Sequence, residues 1–458
     1  MIQPSKTPMP LADAEERNKN FSEVALGYSL DDAINEASRC LQCLHKPCVA
    51  SCPVNVDIPR FIMAVKENRL DDALSIIHQT NCFPSICGRV CPQEVQCEST
   101  CVMTKRYQAV AIGRLERYVG DHAQIRLDVQ PLNQQFKVAI VGSGPSGLAC
   151  AYDCAKAGIA VTVYEAWHDV GGVLRYGIPE FRLPKATVDK EIDVLRQLGI
   201  EFECNVVIGK TIECAELFDM GYKAVFIGTG AGLPTFMNIE GEGSIGVFSA
   251  NEFLTRVNFM KAGQPKYDTP LLTGKRVVVV GGGNVAMDAA RCAKRLGYQT
   301  TIVYRRSLNE LPARQEEVEH AMEEGIVFEL LAAPLKVFAN EQGRVRSIFC
   351  QRMQLTEPGP DGRCKVVPTE DVPFEIETDT VVVAIGTSPN PILIRSTKEL
   401  KTGKWGTIMV DENQQTSIEH VYAGGDAVTG AATVIEALGA GKKAAAAIID
   451  YFTKEQAG

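Results

Sequence analysis

The stretch Lys137–Glu165, KVAIVGSGPSGLACAYDCAKAGIAVTVYE, decides the fold. Val138 to Val141 reads as a buried strand, and Gly142-Ser143-Gly144-Pro145-Ser146-Gly147 follows it. A helix-forming run then leads to a second strand, Val161 to Tyr164, which closes on Glu165. Each part suits a dinucleotide site. Gly142 permits a tight turn, Gly144 lets the backbone approach a pyrophosphate, and Gly147 lets helix and strand pack closely. The pyrophosphate would sit on the unpaired N–H groups of the helix N-terminus, with Pro145 among its contacts. Glu165 stands where an acid accepts from a ribose hydroxyl. A lone glycine pattern is weak evidence, because a glycine-rich loop occurs in other α/β units. Strand, glycines, helix and acid in this order are specific.

The pattern returns at Lys275. RVVVVGGGNVAMDAARCAKRLGYQTTIVYRR repeats the first unit almost element for element, with Gly281, Gly283, Asn284 and Ala286 at the turn. Ala286 replaces the last glycine, an accepted variant. The end of the second strand differs: Tyr164-Glu165 in the first unit is matched by Tyr304-Arg305-Arg306 in the second. An acid there would repel a ribose 2′-phosphate, whereas guanidinium groups pair with it bidentately. The first site therefore suits FAD and the second NADPH, against the plain alternative that the arginines form a solvated charged turn.

Flanking segments extend the duplication. Lys223-Ala-Val-Phe-Ile-Gly228-Thr229-Gly230 is a buried strand meeting a glycine turn, and Asp379 to Gly386-Thr387 echoes it. Gly171-Gly172 opens a Gly/Pro-punctuated loop ending at Lys185, too apolar for a solvated linker and expected to contact a ligand. The chain closes through Ala423-Gly424-Gly425-Asp426 and a helix from near Thr433 to Ala447. The fold class is α/β: two Rossmann-like dinucleotide-binding domains, the NADP domain inserted in the FAD domain, preceded by a helical iron–sulfur domain. The expected bounds are 1–132 for the helical domain, 133–270 and 388–458 for the two parts of the FAD domain, and 271–387 for the NADPH domain.

Upstream lie nine of the sixteen cysteines, between Cys40 and Cys101. Cys40, Cys43, Cys48 and Cys52-Pro53 form a ferredoxin-like run, whose last cysteine often serves a different cluster from the first three. A helical spacer, Ile58 to His78, precedes Cys82, Cys87, Cys91-Pro92, Cys97 and Cys101. Zinc sites usually show paired C-x2-C units, and the one close pair here is Cys40/Cys43. The number suits two four-iron clusters, but spacing alone does not assign each cysteine or show that every ligand is one. Residues 1 to about 30 read as an extended arm, Leu30 to Leu41 and Ala111 to Ala123 as helices, and Gln130 to Gln135 as a linker.

Composition narrows the classes. Hydrophobic content of 45% and charged content of 22% are those of a soluble globular protein. A net charge of -9 argues against a general binder of nucleic acid or anionic membrane. No secretory h-region or membrane-length apolar run is visible. Clustered cysteines in a long, unsignalled chain indicate metal or redox ligation in a reducing compartment, so the expected location is cytoplasmic.

With two dinucleotide units, their GTG and IGT turns and a terminal AGGD, the last two thirds resemble the two-dinucleotide-binding flavoprotein reductases. The cysteine region, with CGRVCPQEVQCESTC and AIGRLERYVGD, makes the whole chain similar to a narrower group. That group includes the glutamate synthase small subunit, the large subunit of NADH-dependent ferredoxin:NADP oxidoreductase and the N-terminal half of dihydropyrimidine dehydrogenase.

The resemblance implies two [4Fe-4S] clusters. Cys40, Cys43, Cys48 and Cys101 would hold one, and Cys52, Cys91, Cys97 and the non-cysteine residue Glu116 the other, leaving Cys82 and Cys87 spare. It implies FAD contacts from Gly142, Gly144, Pro145, Gly147, Glu165, Gly172, Gly228, Thr229, Gly425 and Asp426. NADPH contacts would come from Gly281, Gly283, Asn284, Ala286, Arg305, Arg306 and Gly386. The implied activity is hydride transfer from NADPH to FAD, with single electrons passing through the clusters to a partner subunit. That partner would be a glutamate synthase large subunit or, alternatively, an NAD-binding flavoprotein subunit of an electron-bifurcating complex, with ferredoxin as a further partner. A disulfide reductase of the thioredoxin reductase kind would need a Cys-x-x-Cys facing the flavin, and none follows residue 101. A non-catalytic, redox-sensing scaffold is the reading from another class.

Overall fold

The computed structural model describes residues 3–124, 130–271, 274–358 and 364–457. Two five-stranded parallel sheets carry the last two thirds of the chain. In the first, Asn133–Val141 lies at the centre, with Ile159–Glu165 and then Glu201–Cys204 on one side and Ala224–Ile227 and then Val421–Ala423 on the other. The second sheet has the same layout. Arg276–Val280 is central, Gln299–Tyr304 and Val327–Leu330 lie on one side, and Thr380–Val383 and Val247–Ser249 on the other. Both central strands are fully buried along their apolar runs, as parallel strands covered on two faces must be.

The outermost strand of the second sheet departs from expectation. Val247–Ser249 and the helix after it, Ala250–Asn258, lie before residue 271, yet the strand pairs with Thr380–Val383. The second unit therefore takes up the chain earlier than the repeat itself announces. Where the chain crosses between units, Leu233–Pro234 and Thr387–Ser388 pair antiparallel.

A four-stranded antiparallel sheet, built from Ala332–Ala339, Val345–Pro358, Cys364–Pro368 and Phe374–Glu377, was not foreseen. Its sequence signal is the Asn340-to-Gly343 turn between stretches of alternating burial.

The N-terminal lobe is helical. Ser29 and Asp32 form a capping box that starts the helix Leu30–Ala37. The spacer expected as one helix is two, Ile58–Lys66 and Leu70–Ile77, because Asn68 takes a left-handed φ of 55° between them. The expected arm contains one helical turn, Ala14–Arg17, and Leu11 bridges to Ala25. The linker is shorter than read, since the first strand already begins at Asn133. The final helix runs on to Ala457. Among the described residues, no helix is long and apolar enough to cross a membrane.

Candidate cofactor sites

Two cavities open in the helical lobe, and the cysteines sort between them. Cys40, Cys43, Cys48 and Cys101 line the first. Cys52, Cys91, Cys97 and Glu116 line the second. Ile58 and Ile112 belong to both walls, and Ile435, from the start of the final helix, reaches the second. Cys82 and Cys87 are buried and line neither.

The donor set fits iron–sulfur clusters. Burial pushes the Cys48 and Cys52 thiols up to about 11 and Cys97 well above its ordinary value. Such thiols are neutral unless a cation in the cavity restores the thiolate, which is the linkage a metal cluster exploits. Burial likewise raises the Glu116 carboxyl to about 7, against a hydrogen bond from Asn81. Among the described residues, no three thiol, imidazole or carboxylate side chains converge on a single ion position. The cysteine thiols, four on the first wall and three on the second, are the donors that iron–sulfur clusters take.

Three glycine turns meet at the first fingerprint. The helix Pro145–Lys156 begins at Gly144, and Gly142 takes φ of 99°. A Cβ on Gly228 would stand 3.0 Å from Ser146 Oγ, and one on Gly425 2.7 Å from the same oxygen. Ser146 is thus the buried post around which the turns gather, a role the motif does not advertise. Gly172 packs against Gly144, where a Cβ would fall 2.9 Å from its Cα. A Cβ on Gly144 would meet only Gly228 O, at 4.0 Å, so the backbone stays open to a ligand.

Glu165 ends its strand buried, with Oε2 accepting from Ser143 N (2.9 Å) and Oγ (2.5 Å) and Oε1 from Trp167 N (2.9 Å). These bonds fix the carboxylate beside the turn. Asp426 follows Gly425, accepts from Ala432 N at 3.2 Å, and has its carboxyl raised by burial. The residues present form a cradle with room for a pyrophosphate and an acid placed for a ribose, and so fit a dinucleotide. Thr229 follows Gly228 at the edge of this cradle.

The loop from Gly171 to Lys185 is held from within. Lys185 is buried, and its Nζ donates to the carbonyls of Leu174 (3.0 Å), Ile178 (2.5 Å) and Leu183 (3.0 Å). Burial lowers its ammonium to about 8.

At the second fingerprint Gly281 takes φ of 143°, and a Cβ there would collide with Ala384 O. Gly283 and Gly386 face open space. Ala286 is fully buried in the first turn of the helix Asn284–Arg295, and Asn284 Oδ1 accepts from Arg314 N at 2.9 Å. Arg305 is exposed and makes no ion pair among the described residues, while Arg306 stands 3.4 Å from Glu310. A cationic edge therefore lies where the first unit has a buried acid.

One feature joins the lobes that no motif predicted. Arg17 of the N-terminal arm bonds Glu324 (2.8 Å) and Glu323 (2.8 Å). Glu324 also receives Arg291 and Arg295, both buried over the face of Phe181. Glu317 pairs with Arg291 and Arg182, and Arg182 reaches Asp288 at 2.7 Å. Arg182 belongs to the Gly171–Lys185 loop, so the network ties that loop and the arm to the second dinucleotide unit.

Comparison with known proteins agrees with this arrangement. Residues 17–127 match the family described as dihydropyrimidine dehydrogenase domain II, 4Fe-4S cluster, and residues 136–441 match pyridine nucleotide-disulphide oxidoreductase. The chain is 34% identical to the glutamate synthase [NADPH] small chain of Escherichia coli, across 98% of its own length and 97% of that protein's. It is 36% identical to the NADP(+)-dependent formate dehydrogenase subunit beta of Moorella thermoacetica, across 88% of its own length and 60% of that protein's. Among solved structures, Mycobacterium tuberculosis FprA in complex with NADPH shares the fold. Its TM-score is 0.59 at 22% identity, covering 72% of this chain and 86% of that one. With two dinucleotide cradles behind two thiol-lined cavities, the chain belongs to the glutamate synthase small-chain family and is an NADPH-dependent flavin and iron–sulfur oxidoreductase.

Proposed function

We propose that FAD occupies the first cradle, NADPH the second, and one [4Fe-4S] cluster each of the two cavities, and that a glutamate synthase large subunit accepts the electrons. The observation that carries the cluster count is the sorting of eight side chains into two separate cavities. The partner reading rests on near end-to-end correspondence with a glutamate synthase small chain, whereas the formate dehydrogenase subunit extends well beyond the match. When bound, NADPH supplies a hydride, FAD accepts it and divides the pair, and the clusters relay single electrons.

The chain's own residues bind and orient. Gly142 makes the turn, its own N–H donating to Tyr164 O at 2.8 Å, Gly144 lets the helix N-terminus approach the flavin pyrophosphate, and Gly147 seats the helix on its strand, with Pro145, Gly172, Gly228, Thr229 and Gly425 around the pyrophosphate. Glu165 accepts from the adenosine ribose, and Asp426 faces the ribityl–phosphate region. Gly281, Gly283, Asn284, Ala286 and Gly386 form the corresponding seat for NADPH, and Arg305 and Arg306 take its 2′-phosphate. Cys40, Cys43, Cys48 and Cys101 hold one cluster; Cys52, Cys91, Cys97 and Glu116 hold the other. Ile435, at the start of the final helix, lends the second cavity a wall from outside the helical lobe.

Two substitutions test the assignments. Arg305→Ala with Arg306→Ala removes charge-assisted hydrogen bonds worth about 1.5–3 kcal/mol each. The expected result is a kcat/KM for NADPH lower by more than about 100-fold, with less than about a threefold change for NADH. Equal losses for both would remove the 2′-phosphate role. Glu116→Gln removes a negative charge from a ligand position, so one cluster potential is expected to rise; an unchanged redox titration would count against Glu116 as a ligand.

The partner is tested by anaerobic co-purification from native cells. A large partner with glutamine-dependent NADPH oxidation supports glutamate synthase. A smaller NAD-binding flavoprotein coupling NADH and NADPH to ferredoxin would replace that reading with an electron-bifurcating complex.

A further inference from the structure

Asn81 is fully buried in the short connection between the helices Leu70–Ile77 and Pro84–Val90. Its backbone N–H closes the first helix on Ile77 O at 2.8 Å. Its side chain makes three further bonds. Oδ1 accepts from Phe83 N–H at 2.9 Å, an Asx turn that sets up the second helix, and from the Cys87 thiol at 3.6 Å. Nδ2 donates to Glu116 Oε1 at 2.8 Å.

The orientation of the amide is dictated by chemistry. A backbone N–H can only donate, so the atom facing Phe83 must be the oxygen. The NH2 group is thereby turned toward Glu116, whose ionised carboxylate can only accept. Cys87, buried and beside Cys91, reinforces the same orientation from the oxygen side.

We propose that Asn81 is the positioning residue of the second cluster. Its amide N–H fixes Glu116 as a ligand and partly neutralises the carboxylate, while Cys87 serves as the amide's anchor and not as a ligand. This rests on the reading of Glu116 as a ligand. The physical consequence has a sign. Reduction adds negative charge to the cluster and its ligands, and a hydrogen bond donated to a ligand oxygen stabilises the reduced form. Asn81 thus raises a potential that the extra carboxylate charge lowers.

The test is an EPR-monitored redox titration of the full chain, cluster by cluster, with flavin content followed in parallel. Asn81→Ala removes the donor. Asn81→Asp removes it while keeping an acceptor for Phe83 N–H, so the turn survives if the alanine variant does not fold. Both are expected to shift the second cluster about tenfold toward its oxidised form at a fixed applied potential, about 59 mV for a one-electron couple. The first cluster should titrate unchanged, and Cys87→Ser should keep the full iron content. In a Glu116→Cys background, where no carboxylate remains to be held, Asn81→Ala should cause no shift.

A shift that persists in that background, or that moves both clusters equally, would show a merely structural asparagine and overturn the proposal. So would an unchanged potential in Asn81→Asp. If Glu116→Gln still shifts the second cluster in that case, the ligand reading stands and Asn81 alone fails; if it does not, both fall.

Discussion

Glu324→Ala is expected to destabilise the second dinucleotide unit by about 3–5 kcal/mol, the usual cost of removing one partner from a buried ionic cluster. The carboxylate is 1% exposed and is the common acceptor for Arg17, Arg291 and Arg295. Removing it leaves three buried guanidinium groups facing one another, with Glu323 still paired to Arg17 and Glu317 to Arg291. Glu324→Gln should cost less, since the amide oxygen still accepts. The check is hydrogen exchange across the helix Gln315–Glu323, a local readout that does not presume two-state unfolding of a multidomain chain. Unaltered protection in Glu324→Ala would mean that the network contributes little there.

The same groups set an acid limit. Burial alone would raise the carboxyl of Glu324, but hydrogen bonds from Arg295 and Arg291 outweigh it and hold it at about 2. For Glu317, burial is outweighed by the charges of Arg182 and Arg291, again to about 2. Both values lie below that of an unfolded glutamate, about 4.3. Their stabilisation is therefore fully present above about pH 4.3 and lost as pH falls toward 2. Thermal unfolding followed over that window should show a steep acid loss in the parent chain and a shallower one in Glu324→Gln.

Gly147→Ala is expected to strip the protein of flavin. A Cβ there would lie 2.0 Å from Gly142 O and 3.2 Å from Ile140 Cγ2, so the fingerprint helix must lift from its strand. Overpacking of this kind costs about 1–3 kcal/mol. The displacement also moves Ser146, on which the Gly228 and Gly425 turns rest. Sequence patterning alone would accept alanine, because the second unit carries Ala286 at the corresponding place. The geometry of the first turn does not. Flavin absorbance after purification is expected to fall more than about tenfold, on the reasoning that about 1.4 kcal/mol is a factor of ten. Near-stoichiometric flavin in this variant would refute the steric argument.

How much was legible in the sequence varied with the range of the interaction. The two central strands, the glycine turns and the exchange of Glu165 for Arg305-Arg306 are local signals. The division of cysteines between two cavities was not readable from spacing, because Cys101 joins Cys40 while the intervening Cys52 turns away; resemblance supplied it. The break at Asn68 escaped because apolar periodicity ran through it. The arginine–glutamate cluster escaped for a different reason. Arg17 and Glu324 look like ordinary surface charges until the fold buries them together, and no periodicity links residues so far apart. Asn81 carries no motif at all.

The final helix, Val434–Ala457, has a consequence for the order of assembly during synthesis. Gly441 packs so closely on Ser146 O that a side chain could not fit, Gly439 lies against Pro53, and Ile435 walls the second thiol cavity. All three surfaces are translated long before the helix that covers them. A nascent chain thus holds an unroofed cavity and an uncovered fingerprint helix until its last described segment emerges. Closure of the first dinucleotide cradle and of the second thiol-lined cavity is accordingly expected late in synthesis, and a chain stalled before residue 434 is expected to leave the apolar surfaces under this helix uncovered.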